Sequence, residues 1–299
     1  MTGKASVRIR GLTLHPGGAE SPVVDRFYSD VLEGRLLVLA GPGGAGKTAI
    51  LRLLATLEAP TAGTADIAGA DLRDDPVGVR ERIGWLPAGT LGPDRASPRA
   101  LVSRELRIRG WAKEEASARA HEVLGAVGLR TDGDLPLALL APGARRRALF
   151  ARAIAHDPPV LLLDEPLAEL DLVEREVAWA VLRAARRSGR CIVAATRFPA
   201  GIEAVADAVA VLRDGRCLGR GACAEVKERT RAPSLEEAVL RVLAADGLPG
   251  AQEAIDARAL PEPPPAAMPE PPPAATPETP AQEQGPPPAA PPPAPPSSG

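Results

Sequence analysis

Nowhere in the chain do about 18 or more consecutive apolar residues occur, and the N-terminal MTGKASVRIRGLTLH lacks the apolar core of a secretory leader. A membrane-spanning helix and a cleaved export signal are therefore not expected, so any membrane role must come through a partner. Cysteine is scarce. Cys191, Cys217 and Cys223 are too few and too irregular for a disulfide framework, and the three histidines do not fall at metal-ligand spacing around them. A reduced, cytoplasmic setting is the expectation. Neither sign of charge dominates: 36 Lys and Arg against 38 Asp and Glu leave a net charge of −2, which excludes a global basic field for nucleic acid or anionic lipid. Aromatics make up only 2% of the chain. The basic run Arg145, Arg146, Arg147 thus has no stacking platform beside it and reads as a solvated helix face or an interface, not a nucleic-acid site.

What is present is enough for a core: 299 residues at 45% hydrophobic content can bury one large domain or two small ones. From about Leu260 the composition changes to Pro, Ala, Glu, Gln, Ser and Thr, with PEPPPAA repeated at 261–267 and 269–275. Such a segment has little apolar surface to bury and few backbone donors. The expected organisation is a globular domain over 1–250, with a helical insertion at about 97–140, and a disordered Pro/Ala-rich tail over 251–299. The tail serves as a solubilising or tethering element, or as a ligand for a proline-binding groove.

Within the domain, strands alternate with helices. ASVRIRGLTL, RLLVLAG, ADIAG, RIGWLPA, PVLLLDEP and CIVAAT read as strands, and AVAVLRDGRCLGRG as a hairpin. KTAILRLLATLE, RRRALFARAIAHD and LVEREVAWAVLRAARRSG carry helical periodicity, as do SPRALVSRELRIRG and KEEASARAHEVLGAVG in the insertion. Leucine-rich runs alternating with helices imply an α/β fold with a mainly parallel sheet covered on both faces, and the fold class expected also has an antiparallel β part at the N-terminus.

GPGGAGKT, Gly41 to Thr48, fits G-x-x-x-x-G-K-[ST] and lies between a predicted strand and a predicted helix, the context that gives the motif meaning. Gly41, Pro42, Gly43, Gly44, Ala45, Gly46, Lys47, Thr48 and Ala49 are the candidate phosphate-binding residues. Glycines let backbone N–H groups converge on phosphate oxygens, and the helix N-terminus adds its positive dipole end. Lys47 would reach the terminal phosphates of ATP and the Thr48 hydroxyl would meet Mg²⁺. Asp164 ends the apolar VLLLD, where open parallel sheets place ligand-binding carboxylates, and needs a cation or water there. Thr48 and Asp164 are the candidate Mg²⁺ residues. Glu165 follows, pointing away from Asp164 by strand alternation, and is the candidate catalytic base for the water attacking the γ-phosphate.

Taken in order, GPGGAGKT, RIGWLP, ARRRALFARAIAHDPPVLLLDEP, AELD and VLRDGRC make the stretch from about 5 to 245 resemble an ATP-binding cassette (ABC) ATPase, the nucleotide-binding subunit of a membrane transporter. APSLEEAVLRVL resembles the C-terminal helix of the drug and sodium exporter type. The resemblance implies a P-loop NTPase fold and a pair of subunits, identical or not, sandwiching two ATPs. Each ATP is held by the phosphate loop of one subunit and the signature loop of the other, with Asp171 of AELD at their interface. It also implies a polytopic membrane permease as partner and a site at the inner face of the cell membrane.

Four positions depart from the family pattern. Ala88 stands where the family has a glutamine that touches Mg²⁺ and senses the permease. Leu140, Ala141, Pro142, Gly143 and Ala144 replace Leu-Ser-Gly-Gly-Gln, Arg197 replaces a histidine that contacts the γ-phosphate, and only His15 and Pro16 stand near the adenine-stacking aromatic position. Ala141 has no hydroxyl to donate and Pro142 no N–H. The sequence therefore points to an ATP hydrolase that is slow or asymmetric beside a more complete subunit. Three other readings stay open: an ordinary transporter ATPase, a regulatory ATP-binding protein that serves no permease, and a scaffold whose proline tail recruits partners beside a vestigial ATP site, against which the intact Lys47, Thr48, Asp164 and Glu165 stand.

Overall fold

A computed structural model of the chain describes residues 5–17, 21–89 and 95–258. In chain order the elements are β1 (Ala5–Leu14), β2 (Val24–Leu32), β3 (Leu36–Ala40), α1 (Lys47–Leu54), β4 (Ala62–Ile67), β5 (Ala70–Asp71), α2 (Pro76–Arg82) and β6 (Ile83–Leu86). There follow α3 (Pro98–Ile108), α4 (Lys113–Ala126), α5 (Pro142–Ile154), β7 (Val160–Asp164), α6 (Leu172–Arg187), β8 (Cys191–Thr196), β9 (Ala208–Arg213), β10 (Arg216–Ala222), α7 (Cys223–Thr230), α8 (Leu235–Ala245) and α9 (Ala251–Arg258).

Two sheets organise these elements. An antiparallel sheet runs in the order β2-β1-β4-β5, and a six-stranded sheet in the order β10-β9-β3-β8-β7-β6 is parallel apart from its β9-β10 edge. The mainly parallel sheet and the antiparallel N-terminal part both match the expected fold class. Strand alternation divides the core in two. On β3, Leu37 and Leu39 pack with β1, β2 and α1, whereas Leu36, Val38 and Ala40 face the helices of the opposite layer. Leu161 and Leu163 of β7 share that second layer while Val160 and Leu162 join the first, so the central strands are apolar on both faces. The consequence for function lies at the strand ends: β3, β7 and β8 deliver Gly41, Asp164 and Thr196 to one edge of the sheet.

Local chemistry sets the helix starts. Ser97 accepts from Ala100 N–H at 3.2 Å and Pro98 opens α3, Asp75 accepts from Gly78 N–H at 2.8 Å ahead of α2, and Asp171 and Glu174 form a reciprocal capping box on α6. α9 occupies residues 251–258, where the sequence reading had the tail begin. The proline-rich run expected from about Leu260 lies outside the described residues.

One buried group outside the site carries a pH signature. Past the end of α5, His156 Nε2 donates to Ile83 O at 3.1 Å, and Nδ1 is buried without a partner. Burial, helped by the charge of Arg109 and opposed by Glu105, pushes its pKa down to about 4. The unfolded chain therefore takes up this proton first as pH falls. Stability is expected to decline between about pH 6.5 and pH 4 by on the order of 2 kcal/mol, discounted because the ring is only half-buried. Urea unfolding across that range should show the decline flattened in His156→Gln; an unchanged slope would exclude this source.

Candidate functional site

The chain leaves β3 at Ala40 and turns through Gly41 (φ 153°), Gly44 (φ 78°) and Gly46 (φ 94°) before α1 begins at Lys47. Space as well as torsion enforces glycine at the two ends of this loop. A Cβ on Gly41 would lie 2.1 Å from Leu212 O, and one on Gly46 would lie 2.5 Å from Val23 O. The loop is thus seated against β9 and the start of β2. Pro42, Gly43 and Gly44 remain at least partly accessible, Ala45 and Gly46 are buried beneath them, and Thr48 and Ala49 open α1.

Lys47 is buried, with Nζ donating to Gly41 O and Pro42 O at 2.7 Å each. Burial lowers its pKa, opposed by Glu165 and Asp164. The ammonium thus curls over its own loop, near both carboxylates.

Asp164 ends β7 with 2% exposure, and its Oδ2 is buried without a hydrogen-bond partner. Burial raises its pKa, against a hydrogen bond from Thr48 and the charges of Arg146 and Lys47. An orphaned carboxylate oxygen beside a hydroxyl is what a divalent cation with oxygen ligands requires. Among the described residues no cluster of three or more His, Cys, Asp or Glu could hold a metal. A buried carboxylate oxygen and a neighbouring hydroxyl are a donor pair compatible with a hard divalent cation such as Mg²⁺, the rest of whose shell would have to come from outside the protein.

Glu165 differs from the sequence expectation in how it is aimed. The strand stops at Asp164, and Glu165 adopts a left-handed φ of 49°, its N–H donating to Ala195 O at 2.8 Å. A turn anchored to β8, and not pleat alternation, directs its side chain. Oε1 accepts from Arg197 N–H at 3.0 Å and from Arg197 Nε at 3.3 Å; Oε2 accepts from Thr196 Oγ1 at 3.1 Å. Thr196 was not singled out in the sequence, because it closes an ordinary apolar strand.

The arginine run also departs from expectation, since it is not a solvated face. Arg146 is 4% exposed and donates to Pro87 O and Asp164 O, and to Glu165 O at 2.8 Å. Burial pushes its pKa down to about 10, which still leaves it charged at neutral pH. Arg147 pairs with Glu174 at 2.9 Å and donates to Val127 O and Gly128 O, and Arg145 donates to Leu140 O and Ala138 O. One guanidinium thus joins the loop carrying Ala88 to the backbone of both carboxylate residues. Nothing in the linear pattern signals it.

One turn earlier, at the start of α5, Ala141 is an exposed N-cap residue with no side-chain hydrogen bond, and Pro142 occupies the first turn. Proline suits that position because the N–H it lacks has no intrahelical partner. A Cβ on Gly143 would lie 2.0 Å from Glu174 Oε2, which ties this loop to the capping box of Asp171. Leu139, Leu172 and Val173 are each more than 70% exposed beside it. Ala88 lines the same cleft as Glu165, Thr196 and Arg197, and Arg197 touches Glu165 directly. His15 and Pro16 are exposed past the end of β1 and offer no Phe, Tyr or Trp ring.

A family profile described as "ABC transporter" matches residues 24–168. Curated relatives include Nod factor export ATP-binding protein I of Ralstonia nicotianae, 34% identical over 68% of this chain and 63% of that protein. A probable anion import ATP-binding protein of Haloferax volcanii is 31% identical, over 73% of this chain and 81% of that protein. Daunorubicin/doxorubicin resistance ATP-binding protein DrrA of Streptomyces peucetius is 33% identical, over 73% and 65%. The chain thus spans somewhat less than two thirds of the length of the first and third. An ATP-binding subunit of an ABC transporter shares the fold, with a TM-score of 0.71 at 21% identity over 79% of this chain and 98% of that one. So does a dimeric ATP-binding cassette in a post-hydrolysis state bound to ADP and Pi, with a TM-score of 0.68 at 22% identity over 72% of this chain and 98% of that one.

Proposed function

The chain belongs to the ABC transporter family of ATP-binding proteins, and on that premise we propose that it binds ATP on its own phosphate loop, hydrolyses it slowly or asymmetrically, and drives a separate membrane permease of the exporter type. The observation that carries this reading is the meeting of Lys47, Asp164 and Glu165 at one sheet edge, beside a loop whose end glycines, Gly41 and Gly46, admit no side chain. Residues Gly41 to Ala49 would cradle the phosphates with backbone N–H groups and the N-terminus of α1. Mg²⁺, held by Asp164 and Thr48, would neutralise charge on the phosphates. Glu165 would accept the proton of the attacking water as the new O–P bond forms and the bond to the β-phosphate oxygen breaks, leaving ADP and phosphate.

The departures bear on how fast this runs and for whom. Ala141 and Pro142 would face the ATP of a second cassette subunit, in a pair such as the dimeric relative forms, and remove two donors from that subunit's site. Nod factor export and drug resistance among the relatives favour export, although an anion importer is also among them. A groove of about 620 Å³ beside α2 and α3, where exposed Val77 and Ile108 stand among Arg80, Glu81, Glu105 and Arg109, would offer the permease a mixed apolar and charged seat. Among the described residues no helix is long and apolar enough to cross a membrane, so attachment at the inner membrane face would run through that permease. The ATP-binding role is assigned to residues 1–250 and a tethering role to the proline-rich segment after them. A regulatory ATP-binding protein without a permease is the second reading, favoured by Ala88, which has no polar side-chain atom with which to sense one.

Turnover by the isolated chain, and by the chain mixed with candidate cassette subunits, tests the reading. We expect ATP binding that Lys47→Ala removes, slow hydrolysis alone, and faster hydrolysis with the right partner. Rapid turnover by the isolated chain that Glu165→Gln abolishes would refute the slow or asymmetric part.

A further inference from the structure

Glu165 has few lone pairs left to accept a proton. Its carboxylate offers about four acceptor directions, and Arg197 N–H, Arg197 Nε and Thr196 Oγ1 fill three of them at 3.0, 3.3 and 3.1 Å. Thr196 Oγ1 itself accepts from Phe198 N–H at 3.0 Å, which directs the hydroxyl proton toward Glu165. The pair is lopsided. The Glu165 side chain is 14% exposed and its backbone is fixed to β8, while the Arg197 side chain is 58% exposed and rests 5.7 Å from the centroid of the exposed Phe198 ring. Of the two partners, only the arginine is free to leave. Arg197 and Glu165 also both act electrostatically on Lys47, so a terminal phosphate seated on Lys47 lies within the field of the guanidinium.

We propose that the Arg197 side chain is a positioning group that latches Glu165 in the nucleotide-free state and is drawn off by the oxygens of a terminal γ-phosphate, freeing for the attacking water the acceptor direction of Oε1 that the guanidinium fills, while the Arg197 backbone N–H keeps the carboxylate in place. The guanidinium holds Glu165 by a single Nε contact at 3.3 Å, and it can exchange that anionic partner for phosphate oxygens while keeping a charge-assisted hydrogen bond. ADP, one phosphate shorter, leaves the latch closed. This inference rests on the ATP-binding reading above and adds to it how the site distinguishes the triphosphate.

A double-mutant cycle on nucleotide affinity in the full chain tests it, with the non-hydrolysable analogue AMP-PNP and with ADP, on the parent, Glu165→Gln, Arg197→Ala and the double variant. With no chemistry possible, trapping by hydrolysis does not enter. Glu165→Gln removes the charge that holds Arg197, so AMP-PNP binding is expected to tighten about fivefold, the upper range for a partly exposed ion pair. In the Arg197→Ala background the same change should alter affinity less than about twofold, and ADP affinity should stay level throughout. Equal tightening in both backgrounds, or equal tightening of ADP, overturns the latch while leaving the phosphate loop intact. If the parent binds no AMP-PNP, or if binding survives Lys47→Ala, the ATP-binding reading fails and the latch falls with it.

Discussion

Ala141→Ser combined with Pro142→Gly is expected to raise ATP hydrolysis by about 10²-fold in the assembled pair, the scale of removing or restoring transition-state donors at such a site. The physical case lies at the start of α5. Ala141 sits exposed as N-cap at φ −59° and ψ 154°, a backbone that serine adopts readily, and gains a hydroxyl there at no cost in packing. Glycine at 142 returns the N–H that proline lacks. The stability changes oppose each other, a cap gained against a favourable first-turn proline lost, so the fold should tolerate the pair. Because this loop would serve the facing subunit's ATP, the increase should persist in a mixed pair when the repaired chain also carries Lys47→Ala. If Lys47→Ala in the same chain erases the increase, the loop serves its own nucleotide and the asymmetric reading is wrong.

Arg146→Ala is expected to lower unfolding stability by about 3–5 kcal/mol, near the upper end for a single substitution. The guanidinium reaches the carbonyls of four residues, Pro87, Ala88, Asp164 and Glu165, and Arg146 is 4% exposed. Deleting it leaves those carbonyls desolvated and without a donor, and opens a cavity as well. Arg146→Met separates the two effects, since it fills most of the volume and donates nothing. Urea midpoints for both variants should fall, with methionine recovering only the packing share. A loss under about 1 kcal/mol in Arg146→Ala would show that water satisfies those carbonyls and that the clasp is incidental.

Elements with a single dominant period were legible in the sequence. β1 and β8 coincide with ASVRIRGLTL and CIVAAT, and α3 to α6 fall where apolar residues recur at helical spacing. β2 was not legible: in VDRFYSDVL the buried positions are Val24, Phe27 and Val31, out of step with a two-residue repeat because the β1-β2 register shifts. The short α2 and α7 were also missed, having too few turns to establish a period. The strand, loop and helix that frame Lys47 are contiguous, so sequence alone could propose them. The clasp by Arg146 joins α5 to Pro87, 59 positions away, and to Asp164, 18 away, a relation visible only once the sheet has assembled. For Glu165, alternation was the wrong premise, since the strand stops at Asp164 and a left-handed turn does the aiming.

The proline in the first turn of α5 has one further effect, and it concerns time. Pro142 removes a directed donor but keeps the helix start in place, so the field at that N-terminus still favours a phosphate facing it. Attraction without directed donors lowers the rate of bond cleavage more than it weakens the closed pair. On the proposed reading, a subunit built this way would prolong the dwell of its partner's ATP between binding and cleavage, and the interval that it sets, more than the force that it exerts, would then pace the cycle.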